Sequence, residues 1–125
     1  MIRTFVPINA VTASVANTAA APFSIARAKA VTFRFTRANH SSGQSDFAVD
    51  VSSDGSTWTQ YLRLRKNVTS SNSQEFTESG TVNLSSNTTE IYSMAPEDLG
   101  YKYARVYVTE TTDGTHTAEV TITQD

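Results

Sequence analysis

The chain contains no cysteine, so neither a disulfide framework nor a thiolate metal site can hold it together, and the redox compartment is left open. Glycine is sparse, at 5 residues in 125, and no glycine-rich phosphate loop can be drawn from them. Charge is scarce too. Charged residues make up 18% of the chain and nearly cancel, leaving a net −2, whereas a nucleic-acid partner calls for a clustered basic patch. The nearest candidate patch, Arg63, Arg65 and Lys66, reads as a solvated strand face, so no nucleic acid is expected. No apolar stretch approaches membrane-spanning length, and Met1 to Pro7 lacks the apolar core and cleavage pattern of a signal peptide. The expectation is a protein made in a cytoplasm, with no membrane partner.

What fills the chain instead is serine and threonine. A surface built from hydroxyls suits strands, because Thr is a good strand former while Lys and Glu are not. Helix formers are scarce outside the Ala-rich N-terminal quarter. The length falls within the usual size of one domain and is sufficient to bury a core, so residues 1–125 read as a single domain.

The apolar period is two almost throughout. Val31, Phe33 and Phe35 alternate with Thr32, Arg34 and Thr36, and Phe47, Val49 and Val51 alternate with Ala48, Asp50 and Ser52, which is the mark of half-buried strands. Asp54-Gly55 then closes a hairpin onto Thr57–Leu64, with Trp58, Leu62 and Leu64 expected on the inner face; Gly supplies the positive φ such a turn needs. A second hairpin is expected from Tyr103–Thr109 and Thr117–Thr123 about the turn at Asp113-Gly114. Gln74–Phe76, Thr81–Leu84 and Glu90–Met94 read as shorter strands, and Asn39–Ser45 and Thr69–Ser73 as polar loops. Val11, Ala13 and Val15 favour a further strand, and Phe23 and Ile25 continue the pattern. Eight or nine short strands at this spacing indicate an all-β, antiparallel β-sandwich of jelly-roll or Ig-like kind.

Catalytic and metal chemistry find little footing. His40 and His116 fall in expected surface loops without an acidic or second His partner nearby in sequence, and the spacings of zinc sites are missing. Asp46, Asp50 and Asp54 recur every four residues, which places the first two on the outer face of a strand and the third in a turn; that is not a calcium loop. There is no Gly-x-Ser-x-Gly. No cofactor is expected, and the chain is not expected to be an enzyme. Tyr103, Arg105 and Tyr107 lie opposite Ala104, Val106 and Val108. They form either an exposed aromatic platform, able to stack a sugar ring or anchor a protein, or one covered face of a central strand. Phe5, Val6 and Ile8 are the apolar candidates of the N-terminal segment, where residues 1–22 read as a candidate extended arm reaching a neighbouring subunit.

The run Asp46-Phe-Ala-Val-Asp-Val-Ser-Ser-Asp-Gly-Ser-Thr-Trp58, together with the aromatic-rich stretch from Tyr101 to Ile122, resembles small β-sandwich virion proteins of tailed bacteriophages. The Asp-Gly-x-x-Trp phrase also resembles turns of discoidin-like domains and the sialidase Asp-box, although one residue short of the latter and present once. The phage resemblance implies a capsid decoration (cement) protein in the virion, bound to the major capsid protein or other virion proteins and assembled as a homo-oligomer. A glycan-binding or host-adhesion module, or a tail or neck component, is the alternative reading.

Overall fold

In the computed structural model, residues 1–12, 21–70, 73–109 and 111–124 are described, with the backbone alone for 68–70 and 73–75. The alternating runs build two facing sheets. The larger has the order β1 (Ile2–Val11), β11 (Thr115–Gln124), β3 (Ala28–Ala38), β9 (Thr88–Ser93), β6 (Leu64–Ser70), β7 (Ser73–Ser79). The smaller runs β2 (Phe23–Ser24), β10 (Tyr103–Thr109), β4 (Ser45–Ser52), β5 (Thr59–Gln60), with β8 (Val82–Leu84) also on β4. Every pairing is antiparallel. The architecture is therefore the expected all-β sandwich, with eleven strands among the described residues, two of them only two residues long.

The inward positions are those the alternation marks. Val31, Phe33 and Phe35 from β3 and Ala118, Val120 and Ile122 from β11 meet Phe47, Val49 and Val51 from β4 and Ala104, Val106 and Val108 from β10, all buried. Phe35 and Phe47 stack across the gap at 4.8 Å between ring centroids. Each such side chain removes apolar area from water worth about 1.5–3 kcal/mol, which is what holds two sheets without a cross-link.

Several expectations change. The C-terminal hairpin is not formed: β10 pairs with β4 and β2, whereas β11 pairs with β3 and β1. The chain arches from one sheet to the other at Asp113-Gly114, because the apolar rows of both strands must face the same core from opposite sides. The glycine is required there; its φ is +89° and a Cβ would lie 2.7 Å from the Ala38 carbonyl oxygen. The Asp54-Gly55 hairpin does form, but β5 pairs with β4 only at Thr59 and Gln60. Residues 61–63 leave the strand, the parity breaks, and Tyr61 is buried while Leu62 is 64% exposed.

The segment 2–11, part of the candidate arm, is paired within its own chain. β1 lies along β11 from Ile2↔Thr123 to Val11↔His116, with two register shifts, and Ile8 is fully inside. Phe5 meets Phe23 of β2 edge-on at 4.9 Å, so β1 helps close the side of the sandwich. The expected strand at Ala13 and Val15 lies outside the described residues. The expected loop at 69–73 is largely the paired ends of β6 and β7.

Candidate interaction surfaces

One end of the sandwich is knitted by buried polar groups. Arg37 continues the inward parity of Val31, Phe33 and Phe35 and is almost wholly buried. Its guanidinium donates to the carbonyl oxygens of Asp113, Gly43, Leu84 and Ser42 at 2.7–3.1 Å, tying the 39–44 loop to the 112–114 arch. His116, expected in a surface loop, likewise continues the inward row of β11 and is fully buried. Its Nδ1 donates to the Val11 carbonyl at 2.9 Å, which leaves Nε2 to accept from the Ser45 hydroxyl at 2.5 Å. That arrangement superficially suggests a nucleophile and its base. Ser45 is as buried as His116, so no substrate can reach it, and the pair is a satisfied core hydrogen bond. His40 stays in its loop, with Nδ1 3.1 Å from the Ser42 carbonyl.

The outer face of the small sheet holds the aromatic residues singled out from sequence. The β10–β4 register sets Tyr103 opposite Ser52, Arg105 opposite Asp50 and Tyr107 opposite Ala48. Asp50 points outward as expected but is not solvated; only 5% of it is exposed. Arg105 approaches its Oδ2 with Nε and Nη2 at 3.2 Å, and the indole of Trp58 covers that guanidinium at 4.1 Å from the ring centroid. Trp58, expected in the core, is therefore a lid over an ion pair on the outer face. Burial, then the neighbouring Asp50 carboxylate, pushes the Tyr107 phenol up. Arg105 is engaged and Tyr107 half-buried, so Tyr103 alone of the three remains a well-exposed ring. Of the N-terminal candidates, Val6 is exposed, Phe5 is half-buried and Ile8 is core.

Beside that face, the 53–58 loop is fastened by its own polar atoms. Asp54 Oδ1 accepts from the backbone N–H groups of Ser56 and Thr57, both at 2.8 Å, and the Ser52 hydroxyl accepts from those of Asp54 and Gly55. The N–H groups of Thr57 and Ser56, with the Ser52 hydroxyl, hold the Asp54 carboxyl down at about 2. On the far side of this loop the ring of Tyr101 stands among three adjoining hollows. One of about 360 Å³ is lined by Ser53, Asp54, Thr57 and Thr59, one of about 260 Å³ by Ser53, Glu97, Asp98 and Gly100, and one of about 200 Å³ by Gln60, Tyr61, Arg63 and Asp98. Tyr61 braces the floor, donating its hydroxyl to Asp98 Oδ2 at 2.8 Å and accepting the Ala95 N–H at 2.9 Å; its burial pushes the phenol up. Arg63 pairs with Glu97 and Asp98. Nothing in the alternation marked Tyr101, which lies between elements; only its place in an aromatic cluster hinted at it.

The large sheet presents a different outer surface. Thr32, Thr36, Thr89, Thr117, Thr121 and Thr123 point away from the core with Arg34 and Glu119, and hydroxyls pair across strands at Thr4–Thr121 and Thr36–Thr89. Exposed apolar side chains flank them: Ile2 and Val6 on β1, Ile91 on β9, Phe76 on β7. Among the described residues no cluster of three His, Cys, Asp or Glu side chains could hold a metal ion.

No protein-family model matches the sequence, and no curated protein does. The fold, however, has a counterpart. The chain is similar to the SPBc2 prophage-derived protein YomS in its crystal structure, with a TM-score of 0.67 over 98% of this chain and 94% of that one. Sequence identity is 13%, so the likeness establishes the fold.

Proposed function

We propose that the chain is a structural component of a bacteriophage virion, a capsid decoration protein that binds the capsid exterior and neighbouring copies of itself. The observation that carries the reading is the end-to-end fold likeness to a prophage-derived protein. The resemblance of the 46–58 and 101–122 segments to phage virion proteins points the same way. The contact face in this reading is the large sheet, whose hydroxyl-rich surface carries Val6, Ile91 and Phe76. Its charged side chains Arg34 and Glu119 stand opposite each other on β3 and β11, so a partner can cover them as a facing pair of opposite charge. A catalytic role has no comparable support, since the Ser–His pair is sealed in the core.

Light scattering on the purified chain and co-sedimentation with cognate particles test this. Sedimentation at a fixed number of copies per particle is the expected result. A stable monomer that stays in the supernatant overturns it.

A further inference from the structure

We infer that the corner around Tyr101 is a binding site for the pyranose rings of a neutral oligosaccharide. Three shallow hollows adjoin around one aromatic ring and share Ser53, Asp98 and Val51 between them pairwise, and together they form a recess lined by polar groups. The hydroxyls of Ser53, Thr57 and Thr59, and that of Tyr101 itself, make no hydrogen bond within the protein among the described residues, so all four are available to a ligand. Each can donate and accept, which matches the mixed character of sugar hydroxyls. The Tyr101 ring, packed from behind against the core, offers the apolar surface that the C–H face of a pyranose needs. Gly100 adds open space, since a side chain there would meet nothing within 4 Å.

The walls are also held in place. Asp54 locks the 53–58 loop through three side-chain and backbone partners, and Tyr61 and Arg63 fix Asp98. A site whose walls are already ordered loses little conformational freedom on binding. Charge sets the class of sugar. Asp54, Glu97, Asp98 and Arg63 line the recess; Arg63 pairs with Glu97 and Asp98 and Arg65 also pairs with Glu97, which leaves Asp54 as the carboxylate without an ion pair among the described residues. Sialylated, sulfated or uronic glycans are therefore repelled, while neutral ones are not.

The experiment is a glycan array of neutral and anionic oligosaccharides probed with the intact protein, followed by calorimetric titration of the strongest neutral glycan. Saturable binding to neutral glycans is expected. Gly100→Leu places a side chain at one of the hollows, where its Cβ meets no neighbour, and should weaken binding by about tenfold or more with an unchanged melting temperature. Tyr101→Ala should weaken it too, with a loss of melting temperature because the ring packs on the core, and Tyr103→Ala should leave binding intact. No binding on the array, a preference for anionic glycans, or equal affinity in Gly100→Leu and the parent each overturns the inference. The loss of glycan binding in Gly100→Leu speaks to this corner, and co-sedimentation with particles speaks to the virion role, so the two readings fail separately.

Discussion

At the scale of single residues, parity carried further than composition. Counting by two from Phe35 reaches Arg37, and counting back by two from Ala118 reaches His116; both are inside. The polar identity of His116 and the nearness of Asp113-Gly114 argue for a loop, but the strand begins at Thr115 and its inward row includes the histidine. What alternation could not reveal was Trp58, because its position depends on Arg105, a residue far along the chain that brings it to the outer face. The two turn aspartates show how local chemistry fixes a loop. Asp54 and Asp113 are both lowered from 3.8 to about 2, the first chiefly by the backbone N–H of Thr57, the second chiefly by the Ser41 hydroxyl. A carboxyl depressed in the folded state stabilises it fully above its unfolded value and loses that contribution as pH falls through the folded one. The urea midpoint should therefore fall between about pH 4 and about pH 2. Asn keeps an acceptor oxygen at each turn but does not titrate, so Asp54→Asn combined with Asp113→Asn should flatten that acid limb. An unchanged slope in the double variant would show that other carboxyls govern it.

At the scale of elements, strands were more legible than their partners. The span of β10 and the centres of β3, β4 and β11 follow from alternation, while β3, β4 and β11 run further than the pattern marked; yet β10 and β11 join different sheets. An inward row tells which side of a strand is buried, not which sheet supplies the strand, and an Asp-Gly turn serves an arch as readily as a hairpin. The same gap explains β1. Its weak pattern reads as an extended arm reaching a neighbouring subunit, but irregular pattern here reflects register shifts between Phe5, Ile8 and Val11 in an edge strand that is paired within its own chain. Ile8 is the element's anchor. Ile8→Ala should cost about 2–5 kcal/mol in equilibrium urea unfolding, whereas an arm residue serving only an intermolecular contact would cost the isolated chain almost nothing. A loss within about 0.5 kcal/mol would mean that β1 leaves its sheet in solution.

At the scale of the whole molecule, the two sheets present unlike faces. The small sheet closes its outer face with Trp58, Arg105 and Asp50 and leaves the Tyr101 recess at its corner. The large sheet presents threonines, with apolar side chains on its edge strands β1 and β7 and on β9 between them. None of this division could be read from the chain alone, because Val6 and Ile91 become neighbours of the same plane only when β1 and β9 enter one sheet. If the large sheet meets the particle, carboxylates on its edge strand β1 and on its inner strand β9 should prevent seating, since the contact would have to desolvate both and only the one at position 91 would face a cation, Arg34. Val6→Glu with Ile91→Glu should thus abolish co-sedimentation, and because both sites are exposed the melting temperature should barely move. Gly100→Leu, which blocks only the recess, should sediment like the parent. Retained sedimentation by the double glutamate variant would move the contact to the small sheet, where Tyr103 would be the next residue to replace.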